Sequence, residues 1–123
     1  MDYDGVMQIY FAMFGATMTT SAEFFWGSKS IMMMPYMAIP MDPIGVFFTR
    51  IVGICFLLLT LGRVMWGTPK DTFLKQTMGF HVGSLLPFIG AAMSDGKHLT
   101  PWVWMMQIGM NVAFAAWGST QMK

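Results

Sequence analysis

Apolar residues fall into four long runs along this chain, separated by short polar or proline-rich punctuation. The runs cover about residues 6–26, 44–66, 72–93 and 101–118, and their lengths predict helices that cross a membrane. The first run is apolar as far as Met18. It then passes through Thr19-Thr20-Ser21-Ala22-Glu23 before Phe24-Phe25-Trp26, which puts Glu23 near an interface with the rings as an aromatic belt. The second run is the clearest. At about 1.5 Å per residue it reaches about 34 Å, enough for a hydrocarbon core of roughly 30 Å with some tilt. Asp42 is its expected cap, Arg63 is placed to snorkel at its far end beside Trp66, and Gly67-Thr68-Pro69 stops it. In the third run Gly79-Phe80-His81-Val82-Gly83 has the small-xxx-small spacing that lets helices approach closely, and Pro87 predicts a kink. Ser94-Asp95-Gly96-Lys97-His98 reads as a turn. Thr100-Pro101 supplies a cap and a first-turn proline for the fourth run, whose ends are marked by Trp102, Trp104 and Trp117.

Residues 27–43 do not fit this pattern. The stretch holds Met32-Met33-Met34-Pro35-Tyr36-Met37, then Pro40 and Pro43, and proline breaks helices. It is too short to span and reads as an interfacial or re-entrant segment, which needs protein cover at membrane depth. The expected architecture is therefore all-α: one integral membrane bundle of about four transmembrane helices over residues 1–123. Tight loops make the last three spans antiparallel neighbours.

Composition agrees with that reading. Hydrophobic residues are 55% of the 123 and charged residues 11%, against about 25% charged in soluble domains. A net charge of +1 offers no basic patch for nucleic acid. With four spans, Arg63, Lys70, Lys75 and Lys123 share one side and Lys29, Arg50 and Lys97 the other. That bias puts the termini on the cytoplasm-like side, stroma or matrix in an organelle. The acidic opening Met1-Asp2-Tyr3-Asp4 has neither the basic flank of a secretory signal nor the Arg/Ser richness of a transit peptide. Insertion through the chain's own helices, or a targeting segment outside this sequence, are the two expectations that remain.

Few residues carry candidate chemistry. HExxH, P-loop, CxxC and GxSxG motifs are absent, so no catalytic residue is assigned. Two histidines cannot build a three-ligand zinc site without carboxylates. Cys55, in Ile54-Cys55-Phe56-Leu57, reads as a small hydrophobe. Sixteen methionines include thioethers suited to Cu(I), but Met32-Met33-Met34 and Met105-Met106 lack the spaced pattern of a copper path. His81 is the one ionisable ring well inside a span. It either hydrogen-bonds a neighbouring helix or gives an axial ligand to a magnesium porphyrin or haem. Gln8, Gln76, Gln107 and Asn111 are amides at or within spans. Gln107 and Asn111, four apart, share a helix face and either bond across the bundle or ligate a pigment. The candidate pigment ligands are thus His81, Gln107, Asn111 and Gln76, for chlorophyll, with lipid and carotenoid against the aromatic stretches Phe24-Phe25-Trp26, Phe47-Phe48 and 102–104. Arg50, about two turns into the second span, either snorkels or forms an ion pair with Glu23 that pins the first two spans together.

Asp42, the run Phe47-Phe48-Thr49-Arg50-Ile51-Val52-Gly53 and the Gly79–Gly83 spacing resemble small four-helix membrane proteins of the DoxX-like kind. That resemblance covers most of the chain and implies redox or small-molecule handling, with Glu23, Arg50 and His81 at a polar site. The Met-rich, aromatic-rich character is also similar to accessory subunits around algal photosystem I. The light-harvesting signature of a Glu and Arg pair on a long helix is absent. The resulting expectation is a non-catalytic accessory subunit of a multi-subunit membrane complex, a photosystem I–antenna supercomplex in a plastid thylakoid. Its partners would be larger membrane subunits, lipids and pigments. A respiratory-complex subunit of the mitochondrial inner membrane is the alternative with the same physics.

Overall fold

The computed structural model describes residues 1–31 and 35–122. Met32-Met33-Met34 of the expected interfacial stretch and Lys123 lie outside the described residues. Those described form six helices and no strand: α1 Tyr3–Thr20, α2 Ala22–Trp26, α3 Pro43–Val64, α4 Lys70–Gly83, α5 Leu85–Ala92 and α6 Pro101–Ser119. Of these, α3 is the one helix long and apolar enough on its own to cross a membrane.

Local chemistry sets the boundaries. Asp2 Oδ1 accepts from Gly5 N at 3.0 Å, which starts α1 three residues before the apolar run suggests. Asp42 Oδ1 accepts from Gly45 N at 2.6 Å and caps α3 as expected. Thr100 gives α6 no side-chain cap, and its carbonyl receives the N–H groups of Val103 and Trp104 instead. The first run breaks at Ser21. Upstream, the hydroxyls of Thr17 and Thr20 donate back to Met13 and Ala16 carbonyls, bonds that compete with the backbone ladder and bend a helix. The third run breaks at Ser84 rather than at Pro87. Proline lacks an N–H and its ring clashes with the carbonyl four residues back, which is that of Gly83. The ladder resumes as Phe88 N donates to Ser84 O at 3.1 Å.

The helices pack as two pairs. α1 runs against α3, and α6 runs against α4 and α5. The α1–α3 seam is glycine to glycine. A Cβ on Gly15 would stand 2.9 Å from Gly53 O, and one on Gly53 would stand 2.8 Å from Thr19 N. The expected close-approach pair, Gly79 and Gly83, instead has nothing within 4 Å of either Cβ position. It faces outward, because His81 between them points in. Large rings fill the space between the two pairs. Phe11, Phe56 and Phe80 meet edge to face with centroids 4.9 to 5.2 Å apart, beside the fully buried Met7 and Phe73.

The N-terminus, the end of α6 and the 65–69 connection share one end of the bundle. There Asp4 takes a two-pronged ion pair from Arg63, Nε to Oδ1 and Nη2 to Oδ2, both at 2.9 Å. Gln8 Nε2 adds a third bond to Asp4. Arg63 is therefore tied to α1 rather than snorkelling freely. Lys70 Nζ, 2.8 Å from Asp2, holds that exposed carboxyl below its ordinary range. At the other end residues 35–41 fold over the bundle. Thr100 N donates to Tyr36 O at 3.1 Å and Ala38 N to His98 O at 2.9 Å, a short antiparallel bridge between two loops.

A polar chain and an aromatic cavity inside the bundle

The interior carries the polarity that the surface lacks. Thr77, His81 and Asn111 are fully buried, and Gln107 and all three tyrosines nearly so. Tyr3 and Thr77 pair with each other through their hydroxyls at 3.3 Å, and the rest form two pieces. In the first, Asn111 Nδ2 donates to the Gln107 carbonyl at 2.7 Å, which turns Asn111 Oδ1 toward α4. That oxygen sits 2.7 Å from His81 Nδ1 and accepts from Ser84 Oγ at 3.3 Å. An amide oxygen cannot donate, so the network assigns the ring proton to Nδ1. His81 Nε2 then carries the lone pair, and Met7 Sδ lies against it at 3.2 Å. In the second piece, Tyr36 donates its hydroxyl to Gln107 Oε1 at 2.7 Å, and Gln107 Nε2 donates to the Tyr10 hydroxyl at 2.9 Å. Burial pushes the Tyr36 phenol well above its ordinary value, so it stays a neutral donor.

Beside this second piece lies a cavity of about 300 Å3. Its walls come from every helical segment: Tyr10 and Phe14 of α1, Trp26 of α2, Val52 and Phe56 of α3, Phe80 of α4, Phe88 of α5 and Trp104 of α6, with Tyr36 and Met41 of the loop above. The rings are ordered against one another. Tyr10, Phe14 and Trp26 stack in sequence with centroids 4.4 and 4.6 Å apart, and Tyr36 sits edge-on between Trp26 and Trp104. Besides the loop bridge and the Tyr36 hydroxyl, two more bonds hold the roof. Trp104 Nε1 donates to Tyr36 O at 3.0 Å, and Met41 N donates to Glu23 Oε2 at 2.8 Å.

These positions change the reading of the candidate residues. Glu23 does not meet Arg50; its carboxylate holds Met41 N, while Arg50 is exposed without an ion-pair partner among the described residues. The salt link between α1 and α3 is instead Asp4 to Arg63, at the opposite end. His81 and Asn111 are closed to a pigment in this packing, since Met7 covers the free ring nitrogen and Asn111 is bonded at both ends of its amide. Gln76 faces outward, without a side-chain hydrogen bond among the described residues, open to anything docking on α4. Gln107 alone of the four lines the cavity. Trp26 and Trp104 belong to that cavity, while Phe24, Phe47, Phe48 and Trp102 are exposed. Sequence reasoning missed Tyr10 and Tyr36. The available signal was the stripe Met7, Tyr10, Phe14, Met18 at helical spacing, with a single polar tip on its inner face.

No protein-family model, no curated protein and no solved structure matches the chain.

Proposed function

We infer that the chain is a four-segment membrane bundle, α1 with α2, α3, α4 with α5, and α6, and that it serves as a non-catalytic accessory subunit of a larger membrane complex. The carrying observation is its reversed polarity. Gln107, Asn111, Thr77, His81 and the three tyrosines are buried, while Phe47, Phe48, Leu58, Leu86, Ile89, Met105 and Val112 are exposed. Such faces are stable against lipid or a partner subunit and costly in water, at about 25 cal/mol per Å2 of apolar surface. Segment lengths support the reading. α1 alone, residues 70–92 and residues 101–119 reach about 27, 34 and 28 Å at about 1.5 Å per residue, near a core of roughly 30 Å.

The complex we propose is a photosystem I–antenna supercomplex of a thylakoid. The helices are joined by loops alone, and outward glycines at 79 and 83 leave room for a partner helix. Gln76 is reachable for a chlorophyll on a neighbour, and the outer aromatics suit carotenoid and lipid. The DoxX-like alternative loses its polar site, because Glu23, Arg50 and His81 have separate surroundings.

The test is to solubilise native membranes in mild detergent, separate complexes by size, and follow the chain by mass spectrometry alongside pigment absorbance. Migration with a large green complex is expected. Migration with a large colourless complex would move the proposal to a respiratory assembly. A small colourless species would overturn the accessory role.

A further inference from the structure

We propose that the aromatic cavity under the Tyr36 roof is a binding site for a lipid-soluble molecule whose head is a single planar ring bearing a carbonyl, as in quinones and keto-carotenoids. Three features argue for that chemistry. The first is size: about 300 Å3 is the small end of ligand sites, roughly 300–1,000 Å3, and admits one ring rather than a macrocycle. The second is the wall. Phe14, Trp26, Phe56 and Trp104 offer flat faces and edges, which favour a planar partner over a branched aliphatic one.

The third is the hydrogen-bond inventory. Tyr10 accepts from Gln107, but its own O–H proton has no acceptor among the described residues. Gln107 Nε2 has two protons and uses one, on Tyr10. The polar wall therefore presents donors, and the ligand complementary to it brings an acceptor. A carbonyl on a ring does so without adding a donor that the site cannot match.

The flank explains how a greasy molecule gets in. α3 packs along α1 while α5 packs along α6, so the cavity lies between two helix pairs, with Val52 exposed on its rim. The route from lipid rests on the membrane reading given above; the site itself does not, so it is tested on purified full-length protein in detergent.

The probe is a decyl-substituted benzoquinone, followed by quenching of tryptophan fluorescence and checked by equilibrium dialysis. Saturable quenching is expected, and decylbenzene, which lacks the carbonyls, should bind much more weakly. Tyr10→Phe should weaken quinone binding about fivefold, the loss of one neutral hydrogen bond. Val52→Trp should fill the rim and abolish binding while circular dichroism stays helical. A diketo-carotenoid that displaces the quinone would point to carotenoid as the natural source, and failure to displace would point to quinone. Non-saturable quenching, equal affinity for decylbenzene, or unchanged binding in Val52→Trp would overturn the proposal. If Tyr10→Phe does not fold, the decylbenzene and Val52→Trp comparisons decide it.

Discussion

At the scale of single residues, the informative feature is that the buried His81, Asn111, Gln107, Tyr10 and Tyr36 are joined by a series of hydrogen bonds. His81 donates to Asn111, Asn111 to the Gln107 carbonyl, Gln107 to Tyr10, and Tyr36 to Gln107. In a dry interior an unpaired polar group costs about 1–3 kcal/mol, whereas cross-helix bonds in membranes are worth about 0.6 kcal/mol on average and up to about 1.7. The two figures differ because a truncated partner leaves its mate unpaired. Asn111→Ala strands the His81 Nδ1 proton and should lower stability by about 1–2 kcal/mol. Combining it with His81→Phe should cost less than the sum of the two changes. Denaturant titration of the single and double variants measures that coupling; strict additivity would mean that the 2.7 Å contact contributes nothing.

At the scale of elements, the second and third runs end close to their predicted stops, Gly67-Thr68-Pro69 and the 94–98 turn, while the first and third also break inside, at Ser21 and Ser84. Asp42 was legible as a cap, since its partner is three residues away. What could not be read locally were contacts between elements. Gly79 and Gly83 have the spacing for close packing, yet the buried His81 fixes which way that face of α4 turns, and the glycines look outward. Gly15 and Gly53 have no motif in common and stand 38 residues apart, but they form the seam. A methyl at Gly53 would meet backbone atoms of α1 that cannot rotate away. Gly53→Ala should therefore push α1 from α3 and cost about 1–3 kcal/mol, as overpacking does. Gly79→Ala should be neutral or slightly stabilising through better helix propensity. Thermal unfolding of the two variants makes the comparison, and equal losses would contradict the seam.

At the scale of the whole molecule, the site was only half legible. Gln107 and Asn111 announced a shared inward face, but the cavity is built from Tyr10, Trp26, Tyr36, Phe56 and Trp104, drawn from distant parts of the chain. Its roof comes from the irregular stretch that periodicity could not place. The remaining question at this scale is whether all four segments lie in lipid, and the chain carries its own reporter. Cys55 is the single cysteine, exposed on the outer face of α3. Alkylation proceeds through the thiolate, and a charged sulfur is strongly disfavoured in hydrocarbon. In intact membranes Cys55 should resist a charged, impermeant maleimide and react once the protein is unfolded in detergent. With Cys55→Ser as background, Leu86→Cys on α5, Met105→Cys on α6 and Met13→Cys on α1 put the same question to the other three segments, since all three positions face outward. Four protected cysteines are the outcome expected of a four-segment bundle. Protection at Cys55 with ready labelling at the other three would leave α3 as the only crossing and require the remaining apolar faces to be covered by another protein.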